Sequence, residues 1–355
     1  MAPFLDDIFG NPSSIHAAGR QARAAVETAR AQVAALLGAL PEEVHFTSGG
    51  TEADNWALHR RRCVISSTIE HPAVLRAAEA LAEDGAAVHF VGVGADGRLD
   101  PAAVLAATEG FDTDLVSLIL ANNETGTLQP LADIGPALRE RGITFHVDAV
   151  QACGKIPVDV EALGVDLLSL SAHKINGPKG VGALYVRRGT PLSPWLHGGG
   201  REQGLRAGTE NVAGIVGLGA AAALRAQDMA VDALRLAALR ERLKVGIAAE
   251  IEDVVVNGSQ THCLPQTLNL SFCRIEAESV LLGLDMEGIA VSGGSACAAG
   301  HAEPSHVLLA MGMEPRLAAG AVRFSLGYGN DAAQVDRVIE VLPAIVARLR
   351  SLSVY

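Results

Sequence analysis

The sequence lacks the marks of a disulfide framework. Its five cysteines, Cys63, Cys153, Cys263, Cys273 and Cys297, are odd in number and irregular in spacing, and no CxxC pair occurs. A stapled secreted scaffold is therefore not expected, and a reducing cytoplasm is the default compartment. Charge is scarce. Only 19% of the 355 residues are charged while 49% are apolar, a balance that excludes a disordered chain and allows a sizeable core. Positive charge is in deficit, with 28 Lys and Arg against 40 Asp and Glu, a net −12. No long basic run is present, so a nucleic-acid partner is not expected. Long hydrophobic runs are missing too. The longest, Val212 to Leu224, falls short of the roughly 18–20 residues that span a bilayer, so no membrane association is expected. Its Gly and Ala content fits a closely packed core helix. The N-terminal MAPFLDDIFG has neither a basic n-region nor an apolar h-region, so no secretory signal is read.

What remains is an alternation of strand and helix. The length suits one large α/β domain and a smaller one. Ala17 to Leu37 has Val26, Val33 and Leu37 at helical spacing, with Gly38 as its stop. Val44–Thr47 reads as a strand, Ser48-Gly49-Gly50 as a tight turn, and a helix opens near Thr51. Cys63–Ser67 reads as a strand, and Pro72 suits the first turn of the next helix. A strand follows near Val88–Val91, then Asp100-Pro101 as N-cap and first-turn proline. Leu115–Ala121, Ile143–Val147 and Leu167–Leu170 are apolar runs of the kind buried on both faces of a parallel sheet. After Gly200 the texture changes. Asn211–Gln227 and Asp232–Glu250 read as two long helices. Strands near Val254–Val256 and Thr267–Leu270, a helix over Glu276–Leu284 and a last helix from Ala332 to Leu352 follow. We therefore expect a large domain over 1–230 and a small α+β domain over 231–355.

Polar clusters stand where strands give way to loops, which is where ligands bind in open parallel sheets. Ser48-Gly49-Gly50-Thr51 reads either as a phosphate cup at a helix N-terminus or as an ordinary βα turn. It lacks the P-loop lysine and the GxGxxG spacing. His146-Val147-Asp148 ends a buried strand with an acid, which either caps the next turn or pairs with a protonated ring nitrogen. Lys174 directly follows the next strand, in SAHKINGPKG. A lysine in a desolvated place becomes a nucleophilic amine suited to a Schiff base. Lys179 is the competing candidate, read as surface-exposed. Cys63, Cys153 and Cys273 read as small buried hydrophobes. Cys297, in SGGSACAAGHAEPSH, lies among small and polar residues without apolar periodicity, as in an exposed loop. A nucleophilic thiolate suits such a loop. Zinc held by Cys297, His301 and His306 is a lesser reading, and no metal is expected.

The motifs SGGTEADN, STIEHPAV, NNETG, HVDAVQ, SAHKINGPKGVGALY, RAGTEN and SGGSAC together resemble the cysteine desulfurases of the NifS/IscS type, from about Phe9 to about Gly327. That resemblance implies a fold-type I pyridoxal 5'-phosphate (PLP) transferase: a mainly parallel sheet flanked by helices plus a smaller C-terminal α+β domain. It implies conversion of L-cysteine to L-alanine, with the sulfur taken by Cys297 as a persulfide for iron–sulfur cluster or thio-cofactor synthesis. By the same resemblance Lys174 is the Schiff-base lysine and the proton carrier. Asp148 binds the pyridine nitrogen and Gln151 the ring hydroxyl. His71 stacks on the ring and shuttles protons; by itself it would read as a loop histidine beside a proline. Gly50, Thr51, Ser171 and His173 hold the phosphate, and Thr209 reaches the phosphate of the partner subunit in a homodimer. Asn123 and Arg323 grip the substrate carboxylate, Arg323 through a bidentate fork. A sulfur-acceptor or iron–sulfur scaffold protein is the implied partner, in the cytoplasm.

The sequence departs from that pattern in two places. FGNPSSIH begins at Phe9, so a family segment close to YLDNNATTP, which helps line the substrate pocket, does not precede it. The stretch between SGGTEADN and STIEHPAV is short. The segment from Cys297 to Glu303 has the length of the flexible-loop subgroup. Alternatives stay open: a selenocysteine lyase, a class V aminotransferase that needs no thiol at position 297, or a catalytically impaired desulfurase-like interaction protein that would remain colourless with PLP.

Overall fold

The computed structural model describes residues 1–293 and 304–352. The chain divides into two compact units. The first comprises Met1–Val91, Pro101–Leu120 and Pro130–Met229; the second comprises Gly92–Asp100, Ala121–Gln129 and Ala230–Tyr355.

The first unit is built on a seven-stranded sheet. Its strands are β1 (Val44–Thr47), β2 (Cys63–Ser67), β3 (Ala87–Val91), β4 (Leu115–Ile119), β5 (Thr144–Asp148), β6 (Leu167–Ser171) and β7 (Gly182–Val186), in the order β1-β7-β6-β5-β4-β2-β3. The five strands from β3 to β6 run parallel. Strand β7 is antiparallel to both β6 and β1, so β1 points the same way as β5 and β6. The apolar runs of β4, β6 and β7 are buried throughout, as expected of strands covered on both faces. The helices are α1 (Ala17–Leu37), α2 (Gly50–Leu58), α3 (Pro72–Glu83), α4 (Pro101–Ala107) and α5 (Gly135–Glu140). Helix α1 buries Val26, Val33 and Leu37 and ends on Gly38 in the left-handed region (φ 67°), the expected glycine stop. Helices α2 and α3 bury Ala53, Trp56, Ala57, Val74 and Ala78 with Leu115, Leu167 and Leu184 of the sheet.

The second unit carries a four-stranded antiparallel sheet in the order β10-β11-β9-β8: β8 (Val254–Val256), β9 (Thr267–Phe272), β10 (Ser292–Gly293) and β11 (Ala321–Ser325). With it go α7 (Ala277–Asp285), α8 (His306–Ala310), α9 (Pro315–Ala319) and α10 (Ala332–Leu352). Its core includes Leu243, Ile247, Leu270, Phe272, Val280, Leu284, Val322 and Leu342.

One expectation needs correcting. The two long helices read from the sequence are a single helix, α6 (Val212–Glu250). The intervening Asp228-Met229-Ala230-Val231 contains neither Gly nor Pro, and nothing in it breaks the backbone hydrogen-bond ladder. Strands β7 and β11 were not read from the sequence.

Candidate active site

Because β1, β5 and β6 point the same way, their C-terminal ends share one edge of the sheet. A cavity of about 430 Å³ opens there, lined by Gly49, Gly50, Thr51, Asp148, Ser171, His173 and other residues of the first unit. The sequence reading placed a ligand at these strand ends, and the geometry brings most of its residues to one place.

The cup begins where β1 ends. Helix α2 starts at Gly50 with no side-chain cap on its first turn, so its N-terminus offers backbone N–H groups and a favourable dipole to an anion. Gly50 is required sterically, since a Cβ there would stand 2.6 Å from Val150 Cγ2. Gly182 on β7 allows the turn to approach, because a Cβ there would lie 2.7 Å from the Gly49 carbonyl carbon. From the other side Ser171 Oγ meets His173 Nδ1 at 2.8 Å. His173 is exposed, and burial of its ring together with the nearby Lys174, Lys155 and Lys179 charges holds it below the usual histidine range. Its neutral imidazole and the serine hydroxyl are hydrogen-bonding groups suited to phosphate oxygens.

Asp148 closes β5 at 3% exposure. The Val150 N–H donates to its Oδ1 at 2.9 Å. Burial pushes its carboxyl up to about 6, while the Val150 hydrogen bond and the Lys174 ammonium pull it down. At neutral pH it is a carboxylate in a low-dielectric wall, which suits a cationic ring nitrogen. Lys174 stands on the 3₁₀ turn Ala172–Ile175 that follows β6 and is half-buried. Lys179, read as surface-exposed, is exposed and also lines the cavity.

His71 is the N-cap of α3 and lines the same cavity. Its Nδ1 accepts from Ala73 N at 3.1 Å. That bond fixes the neutral tautomer with its proton on Nε2. Gln151 accepts from Lys155 Nζ through Oε1 at 2.8 Å. Thr209 is exposed. Its loop is tied to α2 by Arg206, whose guanidinium grips Glu52 at 2.8 and 3.1 Å. The same loop is tied to α1 through the nearly buried Glu202, which takes two bonds from Arg30 at 2.8 and 3.0 Å and one from Phe46 N at 3.0 Å.

Asn123 and Arg323 belong to the second unit. There Arg323 Nη1 donates to the Asn123 carbonyl at 2.5 Å, which aligns the guanidinium with the NNETG loop. Beside them Glu124 is fully buried and bonds Ser305 Oγ at 2.5 Å. Cys297 and His301 lie outside the described residues. Among the described residues no group of three or more His, Cys, Asp or Glu is placed to hold a metal. Cys63 and Cys153 are buried as expected, but Cys273 is only half-buried; it follows β9 directly and so sits at the rim of the small sheet.

Sequence reasoning missed Asp54 and Glu70. Both are fully buried acids inside the quoted motifs, at 1% and 0% exposure. The available signal was positional: Asp54 lies four residues after Gly50 and therefore on the same face of α2.

A sheet of this topology with a carboxylate, a lysine-bearing turn and an anion cup at its strand ends is the architecture of a cofactor-dependent transferase. The chain belongs to the Aminotransferase class-V family, whose model matches residues 1–338. It is 50% identical to a cysteine desulfurase of a Nostoc species, over 99% of this chain and 89% of that one. It is 45% identical to the cysteine desulfurase IscS of Dictyoglomus turgidum, over 100% and 92%. Among solved structures it is similar to a NifS-like protein at a TM-score of 0.91 and 38% identity, covering 98% of this chain and 94% of that one.

Proposed function

We propose that this protein is a PLP-dependent cysteine desulfurase that converts L-cysteine to L-alanine and passes the sulfur on as a persulfide. The observation that carries the reading is the single cavity in which a buried carboxylate, an uncapped helix N-terminus and the Ser171–His173 pair meet beside the lysine-bearing turn. These residues fit PLP, which presents a basic ring nitrogen, a phosphate and an aldehyde. Asp148 would hold the ring nitrogen and Gln151 the ring hydroxyl. Gly50, Thr51, Ser171 and His173 would hold the phosphate, His71 would lie on the ring face, and Lys174 would hold the aldehyde carbon. Bound there, PLP supplies the electron sink that makes an amino acid Cα–H bond acidic.

The chain's own groups do the rest. Lys174 takes and returns the proton at the substrate Cα, a task suited to an amine close to Asp148. His71, with its Nδ1 accepting from Ala73 N and its proton on Nε2, shuttles a proton beside the ring. Asn123 and Arg323 bind the substrate carboxylate. The Cys297 thiolate attacks the substrate sulfur: an S–S bond forms as the C–S bond breaks, and that electron pair stays on carbon, which is protonated and leaves as alanine. The persulfide then passes to a thiol or an iron–sulfur scaffold protein.

The working form is a homodimer in which Thr209 reaches the phosphate of the partner's site, and the compartment is the cytoplasm. The exposure of Thr209 on a loop braced by Arg206 and Arg30 supports the first statement. Among the described residues no helix is long and apolar enough to cross a membrane. The first unit carries the cofactor, and the second, which takes in Gly92–Asp100 and Ala121–Gln129 as well as the C-terminal part of the chain, carries the Cys297 segment. The deciding experiment mixes the protein with PLP, L-cysteine and a reductant, and measures alanine and sulfide for wild type and Cys297→Ser. Wild type forms both, and the variant loses at least about 100-fold, in the range for removal of a nucleophile. Equal alanine from both proteins would overturn the assignment.

A further inference from the structure

A second acid stands in the wall of the same cavity. Asp54, on α2, is 1% exposed and lines the cavity with Asp148. The groups facing it are Asp148 and His146 from β5, Glu70 from the segment before α3, and the Ser169 hydroxyl from β6. On the Trp56 side of the helix lies His45 of β1. The nearest basic atom, His146 Nε2 at 3.7 Å, belongs to a ring that burial pushes down to about 3, so it carries no charge at neutral pH. Burial and the nearby Asp148 charge both raise the Asp54 carboxyl well above its usual range.

A carboxylate at this position would be buried, uncompensated and next to other acids, an arrangement that costs several kcal/mol and is relieved by taking up a proton. The geometry agrees with a neutral acid, because Asp54 Oδ1 is buried and accepts no hydrogen bond, so no donor offsets a negative charge on it. His146 meets Ser117 Oγ through Nδ1 at 2.8 Å and Ser169 Oγ through Nε2 at 2.9 Å, and Ser169 also lies against Asp54. A neutral imidazole has one donor and one acceptor. The Ser169–His146–Ser117 row is therefore compatible with either direction, and the Ser169 hydroxyl by itself favours a carboxylate at Asp54, so it is burial that decides for the neutral acid.

We propose that Asp54, buried in the wall of the cofactor cavity with no donor on its Oδ1, remains a neutral acid at neutral pH and leaves Asp148 as the carboxylate that meets a ring nitrogen. The last clause rests on the PLP reading, but the protonation state does not, so the two can fail separately.

Infrared difference spectra of the cofactor-free protein at pH 7.5 test the protonation state. The C=O stretch of an un-ionised carboxylic acid lies apart from carboxylate bands. Glu70, which titrates near 8, contributes to the same region, so the comparison is made in a Glu70→Gln background: the band should be present there and lose its Asp54 component when Asp54→Asn is added. In Ser169→Ala, which leaves Asp54 in place, the band should shift because a hydrogen-bond partner of the carboxyl is gone. An acid band that fails to change in Asp54→Asn overturns the proposal; should that variant not fold, an unshifted band in Ser169→Ala does so. With PLP bound, the pH midpoint of the cofactor absorbance change in Asp54→Asn should stay within about half a unit of wild type, since one neutral group replaces another. A fall of more than about one unit would show that an anion had been removed and would also overturn it.

Discussion

Glu70 offers a test of the pocket electrostatics that needs neither cofactor nor substrate. The residue is fully buried between β2 and α3. Its Oε1 accepts from Ser67 Oγ and, at 3.0 Å, from Ile119 N. Burial and the Asp148 charge push its carboxyl up to about 8 despite those two bonds. The folded state therefore keeps a proton that the unfolded chain releases near pH 4.5. The corresponding stability is fully present below about pH 4.5 and is lost as pH rises toward 8. Each unit is worth about 1.36 kcal/mol, so between pH 5 and pH 8 the wild type forfeits on the order of 4 kcal/mol from this group alone. Glu70→Gln is nearly isosteric, keeps an oxygen for both donors and cannot ionise. Its stability relative to wild type should rise by about 2–4 kcal/mol from pH 5 to pH 8, allowing for relaxation around the charge. The assay is chemical denaturation of both cofactor-free proteins at the two pH values, followed by tryptophan fluorescence. A difference that stays constant between pH 5 and pH 8 would refute the argument, because it would mean that Glu70 ionises without penalty.

His146 pulls in the opposite direction. Its folded value near 3 lies below the ordinary 6.5, so stability is lost as pH falls from about 6.5 toward 3, by on the order of 4–5 kcal/mol in total. His146→Gln should flatten that acid limb in a denaturation series from pH 7 to pH 4, whereas an unchanged slope would remove His146 as its cause. Arg30→Ala should destabilise by about 3–5 kcal/mol, because it strands the nearly buried Glu202. Thermal melts would check it, and a loss under about 1 kcal/mol would show that the loop bearing Thr209 does not depend on this pair.

The sequence made much of the large sheet legible because its strands are short apolar runs bounded by glycine, proline and polar turns. Val44–Thr47 and Cys63–Ser67 lie where they were read, and Leu115–Ile119 lies within its expected run. Strand β7 escaped notice because Val181 to Val186 follows so closely on the Lys174 motif that it merges with the turn. The two helices expected over Asn211–Gln227 and Asp232–Glu250 are one, because a helix does not end while its backbone donors and acceptors remain paired. Of the site, Asp148 and Lys174 were legible as polar residues at the ends of apolar strands, whereas Ser171 and His173 were reached only through the family resemblance. Asp54 and Glu70 were not, because an acid inside a polar motif looks solvated until the fold buries it.

The buried acids also explain how one pocket can suit a single cation. If Asp54, Glu70 and Asp148 all ionised behind the same strands, their repulsion in a medium of low effective dielectric would amount to several kcal/mol. The fold separates them by surroundings instead. Asp148 has a backbone N–H and the Lys174 ammonium to favour its charge, and it titrates near 6. Glu70 has hydrogen bonds from Ser67 and Ile119, which burial outweighs, and it titrates near 8. Asp54 faces a neutral imidazole and a hydroxyl. At neutral pH Asp148 is thus the carboxylate at the end of β5, while Glu52, the other ionised acid of the cavity lining, is paired with Arg206. Pairs of titratable groups whose environments drive their pKa values apart mark where a protein has divided roles between acids. Under the proposed function, the division leaves Asp148 charged for a ring nitrogen and keeps the acids behind it neutral.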